Sequence, residues 1–355
     1  MNDLRRAAGK MILAGFEGKS LPYEVARTLR DEELLGVVLF RRNLGEVEEI
    51  AELNASIHAT RPHHTPVIAV DQEGGRVQRI KAPFPHWPPM LAVAAQEDAD
   101  YVAQVGEAIG DELAALGFNL NFAPCVDIHT NDENPIIGDR AFGRDPESAA
   151  RYAGAFAAGM IISGVSPCVK HFPGHGDTLT DSHLELPRLP LSLDELRRRE
   201  LKPFRQLLGS GIPMVMTAHI LFPELDEHLP ATLSPKIIAE LLRVEMGFDG
   251  VVISDDLNMK ALADHWSIAE MVDLGLRAGI DLFLICEHTE RQLELYEALV
   301  KLGESSALHR ARMMQAAQRV ERWHRDWIRP WVRTAPLWDD AQLQAHHALA
   351  ARAKA

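Results

Sequence analysis

With 355 residues, 46% of them hydrophobic, the chain is long enough for one large α/β barrel or two modest domains. Its 37 Lys and Arg against 51 Asp and Glu give a formal net charge of -14, which argues against nucleic acid or an anionic membrane surface as a partner. No run of about 20 apolar residues is present to span a bilayer, and the apolar stretch from Met11 to Phe16 is far too short for a secretory signal. A soluble, cytoplasmic protein is expected.

Short apolar, β-branched runs alternate along the chain with longer amphipathic ones, the pattern of repeated βα units around a parallel sheet. Strands are expected at Lys10–Gly15, Gly36–Phe40, Val67–Asp71, Asn119–Pro124, Val165–Lys170, Met214–Ala218, Val251–Ser254 and Asp281–Ile285. The intervening helices fall at Tyr23–Glu33, Val47–Ala59, Asp98–Leu116, Pro146–Ser163, Leu193–Leu208, Pro235–Met246, Ile268–Ala278 and Glu290–Leu302. Ser192 with Glu195 reads as a capping box, and Pro235 after Ser234 as a first-turn proline.

Eight such pairs predict a single (β/α)8 TIM-type barrel over residues 1–303. Residues 304–355, with Trp323, Trp327, Trp331 and Trp338, read as extra helices packed on it. A doubly wound nucleotide-binding fold is disfavoured, because neither GxGxxG nor a Walker-type loop occurs. The cysteines, Cys125, Cys168 and Cys286, lie in apolar segments and are expected to be reduced core thiols.

In such a barrel the carboxyl ends of the strands face one mouth. Polar residues collect there: Asp71, Asp127, Lys170 with His171, His219, and Asp255 with Asp256. The stretch KHFPGHGDTLTDSH, Lys170 to His183, is the densest of these and is punctuated as loop by Pro173, Gly174 and Gly176. Within it, Asp181 is placed to orient His183, whose side-chain type ordinarily titrates near pH 6.5 and can give and take a proton.

Asp255, directly after an apolar strand, suits a nucleophile, a base or a metal ligand, although it could instead cap a turn, and Asp256 reads mainly as a cap. Asp71 and Arg79 in DQEGGRVQR could hold hydroxyls, or simply pair to close their loop. A rival set of metal ligands, His171, His175, Asp177 and His183, matches no metal signature in its spacing.

Together KHFPGHGDTLTDSH, DQEGGRVQR, IGDRAFG and SDDLNMKA resemble glycoside hydrolase family 3, in its bacterial β-N-acetylhexosaminidase branch, over roughly Met11 to Glu290. The resemblance implies Asp255 as nucleophile, His183 as general acid/base, Asp181 as its dyad partner, and Asp71, Arg79, Arg140, Lys170 and His171 as ligands of the terminal sugar. It also implies a retaining exo-β-N-acetylglucosaminidase acting on 1,6-anhydro-muropeptides, its partner a GlcNAc-terminated muropeptide or chitooligosaccharide, without cofactor or metal, as a monomer or weak homodimer. A β-glucosidase or a glycoside phosphorylase on the same scaffold is the alternative. Retaining glycosidases commonly use two carboxyl groups about 5–5.5 Å apart, so a histidine in the acid/base role departs from the general pattern. The glycines around His175 suggest a loop that brings His183 into place only when substrate binds.

Overall fold

The computed structural model describes residues 2–287 and 289–353, so the last two residues of the expected helical extension lie outside the described residues. Nine short strands form one parallel sheet: β1 (Ile12–Ala14), β2 (Gly36–Leu39), β3 (Val67–Val70), β4 (Leu120–Asn121), β5 (Ser166–Pro167), β6 (Val169–Phe172), β7 (Met214–Thr217), β8 (Val251–Asp256) and β9 (Leu282–Ile285). Their spatial order is β5-β4-β3-β2-β1-β9-β8-β7-β6. The two ends of this order, β5 and β6, are the halves of a single expected strand interrupted at Cys168.

Closure occurs at that interruption. The Cys168 N–H donates to Asn121 O and Ala123 O, both at 3.0 Å, and the Val126 N–H donates to Lys170 O at 2.7 Å. The sheet is therefore a TIM-type barrel wrapped by helices, as the alternating pattern predicts. Strands β1, β2, β3 and β9 are uninterrupted apolar runs because both faces are covered. One set of side chains, including Leu13, Val38, Ala69, Leu120, Met216 and Ile253, fills the barrel. Neighbours of opposite parity, such as Ile12, Val37, Ile68 and Val252, pack outward against the helices.

Four details differ from the expected elements. An additional helix, Asn2–Gly9, precedes β1. Helix Leu193–Leu208 is split into Leu193–Arg198 and Leu201–Gly209 by a non-helical Arg199, which turns its guanidinium onto Asp177 at 2.7 Å. Short helices Met90–Ala94 and Lys260–Ala263 form within loops. Finally, β6 and β8 extend further than expected, to Phe172 and Asp256, which fixes His171 and Asp255 on strand backbone rather than loop.

The helix Ala307–Trp327 closes the amino-terminal end of the barrel. Its Val320 and Trp323 pack with Leu35, Val67 and Leu120, and the indole N–H of Trp323 donates to Ser166 Oγ at 3.0 Å. Helix Asp340–Arg352 lies on the helix Ala99–Leu116, where His346 Nδ1 is 3.1 Å from Glu112 Oε1. Replacing Trp323 by Ala leaves a cavity at the barrel base and orphans the Ser166 hydroxyl. We expect a loss of about 3–5 kcal/mol, measured by urea denaturation; a loss below 1 kcal/mol would refute this account of the plug.

All three cysteines are buried and free. No helix among the described residues is long and apolar enough to cross a membrane.

Candidate active site

A polar pocket of about 420 Å³ opens at the carboxyl ends of the strands. Asp255 reaches it from the end of β8, Lys170 and His171 from β6, and Asp71 from the residue after β3. Arg79, Asp181 and His183 reach it from loops and Arg140 from the end of a 3-10 turn, Gly138–Arg140, so every residue singled out as a catalytic or sugar-binding candidate borders this one pocket. The Lys170–His171 and Phe172–Pro173 peptide bonds are cis.

One side of the pocket is a charge network. Lys170 Nζ contacts Asp71 Oδ1 at 2.7 Å and Glu73 Oε1 at 2.6 Å, while Arg140 makes a two-pronged contact with Glu73 at 2.8 Å per arm. Burial alone would favour a neutral Glu73, but Arg140 and Lys170 outweigh it and hold the carboxyl well below the usual carboxylate range. Burial likewise works against the Lys170 ammonium, and the two carboxylates overcome it, raising its pKa.

Glu73 was missing from the sequence-derived site, although it sits inside the DQEGG motif. The expected alternative of an Asp71–Arg79 pair is replaced by Asp71–Lys170. The Arg79 guanidinium has no protein partner among the described residues and is free to meet a ligand. Glu73→Gln leaves Lys170 and Arg140 short of a counter-charge, so a destabilisation of about 3–5 kcal/mol is expected in urea denaturation. An unchanged midpoint would contradict the network's role.

The same pocket holds the reactive candidates. Asp255 accepts the Asp256 N–H at 2.8 Å. Burial pushes its pKa up, but His219, His171 and that N–H outweigh the push and hold it below the usual range, so Asp255 is ionised. Asp256 is the turn cap the sequence suggested: its Oδ1 accepts from the N–H groups of Asn258 and Cys286, both at 3.0 Å. Burial raises its pKa to about 6.

The His183 ring presents Nδ1 to Asp181 Oδ1 at 2.8 Å, and the same oxygen accepts the His183 N–H at 2.8 Å. With Nδ1–H committed to a carboxylate, Nε2 is the nitrogen left for proton transfer. His183 is 66% exposed, in contrast to the buried His171 and His175. His183 lines the same pocket that Asp255 borders.

The supposed metal set is dispersed into separate hydrogen bonds. His171 Nδ1 lies 2.6 Å from Asp127 Oδ2, His175 Nδ1 2.7 Å from Thr178 Oγ1, and Asp177 pairs with Arg199. Among the described residues, the one group of potential metal donors is instead Cys125, Asp127 and His171. Burial and the neighbouring Asp127 keep the Cys125 thiol protonated by raising its pKa, and Sγ donates to Asp127 Oδ2 at 3.3 Å. This arrangement is a hydrogen-bonded relay that holds His171.

Asn134 fastens the base of the His183 loop, with its Nδ2 2.8 Å from His175 O and 2.9 Å from Gly176 O. Beneath that base lies Glu200, its side chain almost wholly buried, packed so closely that a Cβ at Gly174 (φ +136°) would sit 2.8 Å from its own Cβ. Sequence reading missed Glu200 because it looks like one more helix-surface acid. Burial pushes its carboxyl up to about 7 despite the Arg199 contact, and its Oε2 is unpartnered.

A carboxyl raised in the folded state favours folding at low pH, and that contribution is lost as pH rises from about 4.5 through about 7. Glu200→Gln is therefore expected to flatten stability across this window and to be more stable than the parent chain at pH 8. Urea midpoints at pH 5 and pH 8 check this, and a parallel dependence in both proteins would contradict it.

A closed parallel barrel with a polar pocket at its carboxyl face is the architecture of α/β-barrel enzymes. The family model described as "Glycosyl hydrolase family 3 N terminal domain" matches residues 6–323. A β-hexosaminidase of Pseudomonas aeruginosa is 40% identical over 270 residues, covering 76% of this chain and 80% of the relative. One from Alkalilimnicola ehrlichii is 40% identical over 285 residues, covering 79% and 81%. Among solved structures, a family 3 β-N-acetylglucosaminidase from Paenibacillus sp. str. FPU-7 superposes with a TM-score of 0.89 at 35% identity, over 98% of this chain and 68% of that one. NagZ from Neisseria gonorrhoeae superposes with a TM-score of 0.82 at 32% identity, over 97% and 98%. The chain belongs to glycosyl hydrolase family 3 and is a glycoside hydrolase.

Proposed function

We propose that this protein is a retaining exo-β-N-acetylglucosaminidase that removes terminal GlcNAc from peptidoglycan-derived 1,6-anhydro-muropeptides in the cytoplasm. The observation that carries the reading is the pairing, across one pocket, of an ionised Asp255 with a His183 whose Nδ1 is held by Asp181. The names of its relatives support the acetamido sugar as substrate. NagZ from N. gonorrhoeae has also been crystallised in complex with N-trifluoroacetyl-D-glucosamine.

In this reading a carboxylate oxygen of Asp255 attacks the anomeric carbon as the bond to the aglycone oxygen breaks. His183 gives its proton from Nε2 to that leaving oxygen. The product is a glycosyl ester on Asp255. Neutral His183 then takes a proton from water, whose oxygen bonds to the anomeric carbon as the ester bond breaks. Two inversions leave the configuration unchanged.

Asp71, Arg79, Arg140, Lys170 and His171 hold the sugar's hydroxyls. Asp71 retains an oxygen beyond its Lys170 contact, and His171 retains Nε2, whereas Arg140 is largely spent on Glu73. Arg140 thus acts mainly through Glu73 and Lys170. The barrel of residues 1–303 carries the whole site, and residues 304–355 serve as its plug and brace.

Proton NMR of the first-formed sugar tests the stereochemistry. The β-anomer should appear first and mutarotate afterwards; initial α-anomer would overturn the double displacement.

A further inference from the structure

Arg79, the cation left free to meet the sugar, is located through its backbone. Its guanidinium has no protein partner among the described residues, while its N–H donates to Gln72 Oε1 at 2.8 Å. The place of Arg79 in the pocket therefore depends on what holds the loop from Gln72 to Pro89. Inside that loop Gln78 is the tie: its Nε2 donates to Pro85 O at 2.8 Å, and its Oε1 accepts the Trp87 N–H at 2.8 Å. The Gly75 N–H in turn donates to Trp87 O at 2.9 Å. The outgoing and returning runs of the loop are joined through Trp87, so whatever fixes Trp87 fixes both.

Trp87 is fixed from outside the loop. Its indole N–H donates to Glu112 Oε2 at 3.1 Å, and the other oxygen of Glu112 accepts from Nδ1 of His346, in the C-terminal helix, also at 3.1 Å. The same terminal segment touches the loop directly at two further points. The Trp338 ring stands edge-on to Phe84 with centroids 5.3 Å apart, and His347 Nε2 donates to Pro83 O at 2.9 Å. Trp338, His346 and His347 all lie beyond residue 323, where the family match ends. Two other anchors of this helix, Gln342 on Asp111 at 2.8 Å and Arg352 on Asp98 at 2.7 Å, reach the helix Ala99–Leu116 and its N-cap instead of the loop.

We propose that the C-terminal segment from Trp338 to Arg352 is a positioning element for sugar binding: it clamps Pro83, Phe84 and Trp87, and through them sets where Arg79 stands in the pocket. The proposal rests on the reading of Arg79 as a sugar ligand. A loop ordered before substrate arrives spares binding the cost of ordering it. Because Arg79 holds the sugar in ground state and transition state alike, loosening the clamp should weaken binding and leave turnover nearly intact.

The test compares two pairs of substitutions in the full chain, read with an aryl β-N-acetylglucosaminide. Trp338→Ala with His347→Ala cuts the clamp on the loop, whereas Gln342→Ala with Arg352→Ala cuts contacts to the neighbouring helix. All four side chains are exposed or half-buried, so both proteins should fold. Arg79→Ala should raise KM by roughly 10- to 100-fold, the worth of a hydrogen bond from a charged group. The clamp pair should cost part of that, roughly 3- to 10-fold in KM with kcat within about 2-fold, and the other pair should leave KM unchanged. In the Arg79→Ala background the clamp pair should add nothing further to KM, since the residue it positions is gone, whereas a merely structural brace would act equally in both backgrounds. An unchanged KM in the clamp pair, equal changes in the two pairs, or a clamp effect undiminished without Arg79 would overturn this inference alone. A KM indifferent to Arg79→Ala would overturn the sugar-ligand reading and this inference with it, as would the absence of cleavage by the native protein.

Discussion

Asp255→Ala is expected to lower turnover of an aryl β-N-acetylglucosaminide by roughly 10⁴-fold or more, because it deletes the atom that forms the covalent intermediate. The local structure isolates this effect. Among the described residues the Asp255 carboxylate forms one hydrogen bond, accepting from the Asp256 N–H, whereas Asp256 carries the turn by accepting from Asn258 and Cys286. Losing Asp255 should therefore leave the β8 end folded, and removing its buried charge relieves a desolvation cost. Asp256→Asn should show the opposite balance, with a disturbed turn and reduced stability but covalent chemistry retained. Initial rates and urea midpoints on both variants check the pair. A fully active Asp255→Ala protein, or loss of the covalent step only in Asp256→Asn, would move the nucleophile elsewhere.

His183→Ala is expected to cost about 10²- to 10⁴-fold in turnover, the usual worth of general acid/base catalysis. The loss should depend on the leaving group. An aryloxide that departs without protonation lets Asp255 form its ester in the variant, while hydrolysis of that ester still lacks a base. A rapid burst of one equivalent of phenol followed by slow turnover is the expected trace on an activated aryl substrate, and a poorly activated alkyl glycoside should react slowly with no burst. His183 is exposed and, among the described residues, its ring is held through Asp181 alone, so the substitution should not lower stability. Asp181→Asn should reproduce part of the loss, by freeing the ring. An equal loss on activated and unactivated substrates would argue that His183 positions substrate and does not transfer the proton.

The barrel was legible because strands buried on both faces show as apolar runs between amphipathic helices. Gly36–Leu39, Val67–Val70 and Leu282–Ile285 are of this kind. The break at Cys168 was not legible. Val165 to Lys170 reads as one run, and only the closing register, with Cys168 bonded to Asn121 and Ala123, divides it. The helix Asn2–Gly9 escaped notice because it is a single short segment next to an apolar strand and gains its support from tertiary packing with helices late in the chain.

The candidate site was legible where a motif concentrates chemistry, as Lys170 to His183 does. Glu73 and Glu200 were hidden for a common reason. An acid looks solvated until folding shows what lies around it, here two cations for Glu73 and near-complete burial beneath Gly174 for Glu200. Asp127 stood out as a polar strand-end residue, but its work of holding both His171 and the His175 backbone emerges only from the contacts, at 2.6 and 2.7 Å.

The central claim is that Asp255 carries the sugar through a covalent intermediate. Incubating the protein with an activated 5-fluoro β-N-acetylglucosaminyl donor, which slows hydrolysis of the ester, and mapping the labelled peptide by mass spectrometry tests it most directly. The account predicts one equivalent of label on the peptide spanning Val251 to Lys260, located at Asp255. Label on Asp256 or any other residue, or turnover with no trapped adduct, would contradict it.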